Sequence, residues 1–166
     1  MRLLSRLIIC GLLILMMGAI SSVAAQGFWV CVDIKPQSCP NPLNIKSKGV
    51  LPVAILGTDE FDVMDVDPTT VMFEGEMGNV AALRWNYEDV STPICDGGPP
   101  EPEECTDEGP DGLMDLTFKF DKQEVLEAIG PVNNGQMMIF LYFIGMTYDG
   151  RYFAGMDWVI LKGYNH

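Results

Sequence analysis

From Phe28 onward, short apolar segments recur between Gly, Pro, Asn and Asp punctuation. This is the rhythm of short strands and turns, not of strands alternating with long helices. The pattern predicts strands near 28–34, 43–46, 50–56, 70–74, 80–86, 114–120, 136–146 and 152–161. Thr117, Phe118, Lys119 and Phe120 alternate as a half-buried strand does, with successive side chains on opposite faces. Val50 to Leu56 and Met137 to Met146 are nearly continuous apolar runs, which predicts central strands buried on both faces. The last two strands are joined through Thr147-Tyr148-Asp149-Gly150-Arg151, and Asp-Gly supplies the positive-φ positions of a tight hairpin. One helix interrupts the strands: Asp121 with Glu124 forms a capping-box-like start, Val125, Leu126 and Ile129 give an apolar face, and Gly130-Pro131 ends it. The expected fold class is all-β, an immunoglobulin-like antiparallel β-sandwich with one short helix in a connection.

The segment before Phe28 does not belong to that pattern. Arg2 and Arg6 precede an apolar run from Leu7 to Ile20, and Val23-Ala24-Ala25 provides the small residues of a cleavage site. Residues 1–25 read as a secretory signal peptide cut before Gln26, which leaves 26–166 as a single domain and no membrane span after cleavage. The apolar run is too short to cross a bilayer, and Ile9 before Cys10 is too bulky for a lipidation site. Export changes the reading of charge. The chain carries a net charge of −13, and the leader holds two arginines and no acid, so the exported domain is more acidic still. Such a surface repels phosphate backbones and anionic lipid, which excludes nucleic acid and makes cations its natural counterpart. The expected location is secreted, extracellular or in the cell envelope, and the expected partner is an extracellular protein or polysaccharide.

Four cysteines remain after the leader: Cys31, Cys39, Cys95 and Cys105. An even number in an exported chain predicts two disulfides. Three pairings exist, and the sequence-near one, Cys31 with Cys39 and Cys95 with Cys105, is favoured because each bridge would close a short loop. Zinc is disfavoured, since no Cys-x-x-Cys spacing occurs and the single histidine is the terminal His166. Residues 91–110 lack any periodicity and are dominated by Pro, Gly, Glu and Asp, so they form a loop.

Candidate chemistry follows that loop. Asp107-Glu108-Gly109-Pro110-Asp111-Gly112-Leu113-Met114-Asp115 places carboxylates at relative positions 1, 5 and 9 and a glycine at 6. Calcium loops use this spacing, because the ion takes six to eight oxygens and the glycine lets the chain turn so that ligands converge. Position 3 is Gly109, without a side-chain oxygen, and position 12 is Phe118 where an EF-hand has a bidentate glutamate. A second acidic run, Asp59 to Asp67, has apolar residues at 61, 63, 64 and 66 and reads as a loop pinned to the core. An enzyme is not expected: without an internal histidine no Ser-His-Asp arrangement can be built. The alternative to a calcium-dependent adhesion or assembly module is a carbohydrate-binding module, for which Tyr148 and Tyr152, flanking the hairpin turn, are the candidate sugar contacts.

The run Asp33-Ile34-Lys35-Pro36-Gln37-Ser38-Cys39-Pro40-Asn41-Pro42-Leu43-Asn44, followed by Lys46-Ser47-Lys48-Gly49-Val50-Leu51-Pro52-Val53-Ala54-Ile55-Leu56-Gly57-Thr58, resembles the signature of a family of exported bacterial and archaeal β-sandwich domains. Leu83-Arg84-Trp85, Glu88-Asp89-Val90, Gly109-Pro110-Asp111-Gly112 and Asp115-Leu116 extend the resemblance over nearly all of residues 32–162. It implies a fold and a location but no activity. Related members carry a contiguous Glu-Asp-Val-Asn-Gly-Asp-Gly-x-x-Asp-Leu. Their pattern implies that Asp89 matches the first calcium ligand and Asp111 and Asp115 the later ones, with the stretch from Ser91 to about Glu108 inserted between them and Gly109 in the asparagine position. Either Asp89 or Asp107 then supplies the first ligand.

Overall fold

Two sheets face each other across an apolar core in the computed structural model, which describes residues 27–95, 98–101, 104–132 and 138–163. The leader 1–25, the cleavage point before Gln26, and His166 lie outside the described residues. The strands are β1 (Phe28–Trp29), β2 (Val32–Ile34), β3 (Pro42–Asn44), β4 (Val50–Ile55), β5 (Val66–Gly75), β6 (Gly78–Ala81), β7 (Arg84–Glu88), β8 (Asp115–Asp121), β9 (Met138–Thr147) and β10 (Tyr152–Lys162), with helix α1 (Lys122–Ile129) between β8 and β9. The larger sheet runs β1-β10-β9-β5-β6, with β3 also on β10, and the smaller runs β2-β4-β8-β7. Pairing is antiparallel except where the short β1 and β3 lie parallel to β10. The described residues thus form an all-β sandwich with one short helix.

Two predicted strands are each divided between the sheets. Residues 28–34 split into β1 and β2, and Val30 and Cys31 carry the chain from one sheet to the other. Residues 80–86 split likewise into β6 and β7 around Ala82 and Leu83. Both crossings are apolar in sequence, with Val30 and Cys31 buried, Ala82 half-buried and Leu83 exposed, and no Gly or Pro marks the change of sheet. β3 ends at Asn44, short of the expected 46, and β5 begins at Val66, earlier than the expected 70, after a short 3-10 turn at Val63–Asp65 capped by the Asp62 carboxylate. Val63 and Val66 are fully buried there while Met64 is exposed, so the acidic run 59–67 is pinned to the core at only some of its apolar positions.

The core is built from alternate residues: Leu51, Val53 and Ile55 of β4, Leu116, Phe118 and Phe120 of β8, and Ile139, Leu141 and Phe143 of β9. The expectation that Met137 to Met146 is buried on both faces is corrected. Ile139, Leu141, Phe143 and Gly145 point inward, whereas Phe140, Tyr142, Ile144 and Met146 lie on the outer face and are half-buried or exposed. Apolar composition hid the alternation, since both faces of β9 are apolar.

The hairpin and the helix form as expected. Gly150 takes φ +84° in the turn joining β9 to β10. Asp121 accepts hydrogen bonds from Gln123 N and Glu124 N, and Gly130 ends the helix at φ +77°. α1 buries Val125 and Ala128 and lies close to β5 and β6. At Gly75, a Cβ would run into the backbone carbonyl of Ala128. Because that contact is with helix backbone, Gly75→Ala is expected to lower stability by about 1–3 kcal/mol, the usual cost of overpacking. Urea denaturation measures it; an unchanged midpoint would mean that the helix can move away freely.

Candidate functional site

The functional region forms where the loop 91–110 crosses the β2 edge, at which the two sheets come together. Both disulfides pin the loop there. They join Cys31 to Cys95 and Cys39 to Cys105, with Cα separations of 5.8 Å and 5.4 Å. This corrects the sequence-near pairing. Cys31 and Cys39 flank β2 and the loop runs alongside it, so each finds its partner across the fold and not along the chain. Thr92 Oγ1 donates to Gly109 O at 2.9 Å, closing the base of the loop.

Under the loop lie three buried acids. Asp115 opens β8 and is fully buried; its carboxylate accepts from Gly57 N at 3.0 Å, Val90 N at 2.8 Å and Ser91 N at 3.2 Å. Asp33 of β2 accepts from Ser91 Oγ at 2.5 Å. Asp157 of β10 accepts from Ile34 N at 2.7 Å, Asn41 Nδ2 at 2.9 Å and Trp158 N at 2.6 Å. Asp115 and Asp157 fasten separate segments by taking up backbone N–H groups that burial would otherwise leave unpaired, and Asp33 fastens Ser91 through its hydroxyl. Burial pushes all three upward in pKa: Asp157 to about 7 and Asp33 to about 6, with Asp115 also raised. Hydrogen bonds act in the opposite sense, and the negative neighbours Asp33 beside Asp157, Asp115 beside Asp33 and Asp89 beside Asp115 add to the rise. A cavity of about 20 Å³ between Asp33, Asp157, Cys31 and Cys95 has room for one water.

The residues proposed from sequence as calcium ligands are only partly brought together. Asp89 accepts from Asp111 N at 3.1 Å and Gly112 N at 2.8 Å, so the two halves of the acidic motif meet across the insertion. Asp111 accepts from Leu113 N at 2.9 Å, and Gly112 takes φ +97°. Asp115 lies within electrostatic reach of Asp89, but its oxygens are occupied by the three backbone donors. Asp107 is exposed and stands outside this hydrogen-bonded set. Among the described residues no group of three or more Asp, Glu, His or Cys side chains is gathered as a metal would require.

What the linear motif did not reveal is the cleft beside it. Asp111 shares a cleft of about 690 Å³ with Asp59, Glu60, Phe28, Trp29 and Phe61. The second acidic run is thereby set against the first, and the antiparallel bridge between Thr58 and Phe61 turns it. Asp33 and Asp157 were missed as site residues as well, although an acid inside an apolar strand, as in Gly155-Met156-Asp157-Trp158, was a visible signal. The candidate sugar contacts are exposed, Tyr148 at 68 % and Tyr152 at 58 %. They face different surroundings: Tyr148 N donates to Asp65 O and the side chain is within electrostatic reach of Tyr87 in the smaller sheet, while Tyr152 pairs with Met146 on the larger sheet.

Fold and bridges together define a two-disulfide β-sandwich of the kind found where thiols oxidise, in extracellular settings. Among the described residues no helix is long and apolar enough to cross a membrane. Compared with protein-family models, curated proteins and solved structures, the chain matches none.

Proposed function

We propose that this chain is an exported, non-catalytic β-sandwich module of adhesion or surface assembly, in which calcium serves as a structural ion. The observation that carries the reading is the cleft in which Asp59, Glu60 and Asp111 share a wall beside the doubly bridged loop. Carboxylate oxygens are the hard donors that calcium takes. Asp111 is the ligand of choice, and Asp89 holds the Asp111–Gly112 turn in place through its two backbone hydrogen bonds. The described carboxylates are not gathered into a closed set, so calcium binding requires the acidic segments to draw together. Asp115 belongs to the scaffold in this reading, its oxygens already committed to N–H donors.

Calcium bound only by the folded form raises the melting temperature by mass action. At a hundredfold excess over the dissociation constant the rise is expected to be roughly 5–10 °C, and Asp111→Asn is expected to remove most of it. Melting curves in millimolar calcium and in chelator decide the matter; coincident curves for the wild type would end the calcium assignment. The other reading is a carbohydrate-binding module, supported by the exposure of Tyr148 and Tyr152, although these residues do not form one continuous aromatic platform.

A further inference from the structure

The cleft beside the acidic loop has walls of two kinds. Asp59, Glu60 and Asp111 supply carboxylates, and Phe28, Trp29 and Phe61 supply rings. No Lys or Arg is among the described residues that line it. The ion pair formed among the described residues joins Arg151 to Asp149 on the hairpin, so the three acids of the cleft have no cationic partner there. Walls of one sign over an apolar floor concentrate the field and draw cations in. The rings suit the same ligand, because a cation is held over an aromatic face within about 6 Å, best of all by tryptophan. Phe28 already holds one: Arg151 Cζ lies 5.1 Å from its ring centroid. Trp29 is 37 % exposed. The main chain of β1 then separates a peptide from a free cation. β1 is the outermost strand of the larger sheet and pairs in parallel with β10. Val30 N donates to Ala154 O at 2.9 Å, so the alternation of the strand turns the Trp29 N–H and C=O toward the other edge, where no described strand lies.

We infer that the cleft docks an extended basic segment of a partner protein, which adds as a short strand along the open edge of β1 and seats a lysine or arginine side chain between the rings and the carboxylates. Strand addition draws affinity from main-chain hydrogen bonds and specificity from pockets that take alternate side chains. Trp29 offers one donor and one acceptor on that edge, and the cleft it lines is the pocket beside them. The volume of about 690 Å³ falls within the roughly 300–1,000 Å³ of ordinary binding clefts, enough for a long basic side chain. Charge selects the partner. A chain of net charge −13 turns away acidic segments and speeds the approach of basic ones. The inference rests on the adhesion or assembly reading, whose partner it describes by its chemistry. It does not rest on calcium, which is a rival cation for the same carboxylates.

The test uses the secreted, disulfide-bonded chain in chelator and follows the fluorescence polarisation of a labelled nonapeptide of alternating valine and lysine, capped at both ends and carrying four positive charges. The expected result is saturable binding, against which spermine, of similar charge but without a main chain, competes at least about tenfold less well than the unlabelled peptide. Asp59→Asn with Glu60→Gln, both at exposed positions, is expected to weaken binding about tenfold or more. Trp29→Ala is expected to weaken it about tenfold with no change of charge, and Trp29→Leu serves if Trp29→Ala does not fold. Glu74→Gln with Glu76→Gln removes the same charge toward the opposite edge of the larger sheet and is expected to change binding by less than about twofold. A wild type that does not bind the peptide would overturn the inference, as would binding that survives loss of the Trp29 ring. Equal weakening by the two double variants would reduce the attraction to net charge, and spermine competing as well as the peptide would give the cleft to free polyamines; either result also overturns it. With chelator present throughout, the outcome is separate from the calcium melting curves, and coincident melting curves would leave it standing.

Discussion

Between pH 8 and pH 5 the folded protein is expected to gain stability, the reverse of ordinary acid denaturation. Asp157 and Asp33 are held at pKa values of about 7 and about 6, against 3.8 for the free side chain, chiefly because burial penalises their charged forms. In that window the folded state binds protons that the unfolded state does not, so stability falls as pH rises. The contribution is fully present below about pH 4 and is lost as pH climbs through 6 and 7. The rise from 3.8 to about 7 for Asp157 corresponds to about 4 kcal/mol and the rise to about 6 for Asp33 to about 3 kcal/mol. The two groups repel one another, so their joint effect is of the order of several kcal/mol and not a simple sum. Relief of the general negative charge on acidification acts in the same direction. Urea midpoints at pH 8, 6.5 and 5 are expected to rise in that order, and Asp157→Asn, which cannot ionise, should flatten the trend. Midpoints that fall steadily from pH 8 to pH 5 would contradict the assignment of these acids as buried and unfavourably charged.

Asp115→Ala is expected to be the most damaging single substitution in the loop region. It removes the acceptor for Gly57 N, Val90 N and Ser91 N together. Each buried N–H left without a partner costs about 1–3 kcal/mol, so the loss of all three is about 3–9 kcal/mol, comparable to the whole stability of many domains. Asp115→Asn keeps one acceptor oxygen and is expected to fall between alanine and wild type. Denaturation at neutral pH with the disulfides intact and chelator present measures the scaffold role without calcium. Limited proteolysis supplies the local readout, because loosening Val90 and Ser91 frees the start of the 91–110 loop for cleavage. A loss below about 1 kcal/mol with an uncut loop would show that water replaces the carboxylate without penalty.

Several elements were legible because their cause is local. The α1 cap at Asp121, its stop at Gly130 and the Asp149–Gly150 hairpin depend on hydrogen bonds and backbone angles within a few residues, and these stand where the sequence put them. The two-sheet class was legible because strand length and punctuation are also local. Errors entered wherever the deciding partner was far along the chain. The division of 28–34 and 80–86 between sheets depends on which edge each half meets, and the disulfide pairing depends on the loop lying along β2. The candidate site shows the same limit: Asp89 and Asp111 were linked through their motif, whereas Asp59 and Glu60 join them only in the folded cleft.

By itself, then, the amino-acid sequence determined an acidic, cysteine-paired chain of short strands with one capped helix, since composition, alternation and turn chemistry act over a few residues. Tertiary structure alone decided which cysteines meet, which acids are buried and raised in pKa, and which face of β9 turns toward the core. Those outcomes depend on what another segment places nearby, and desolvation, bridge geometry and burial of a sheet face arise only when distant segments pack together.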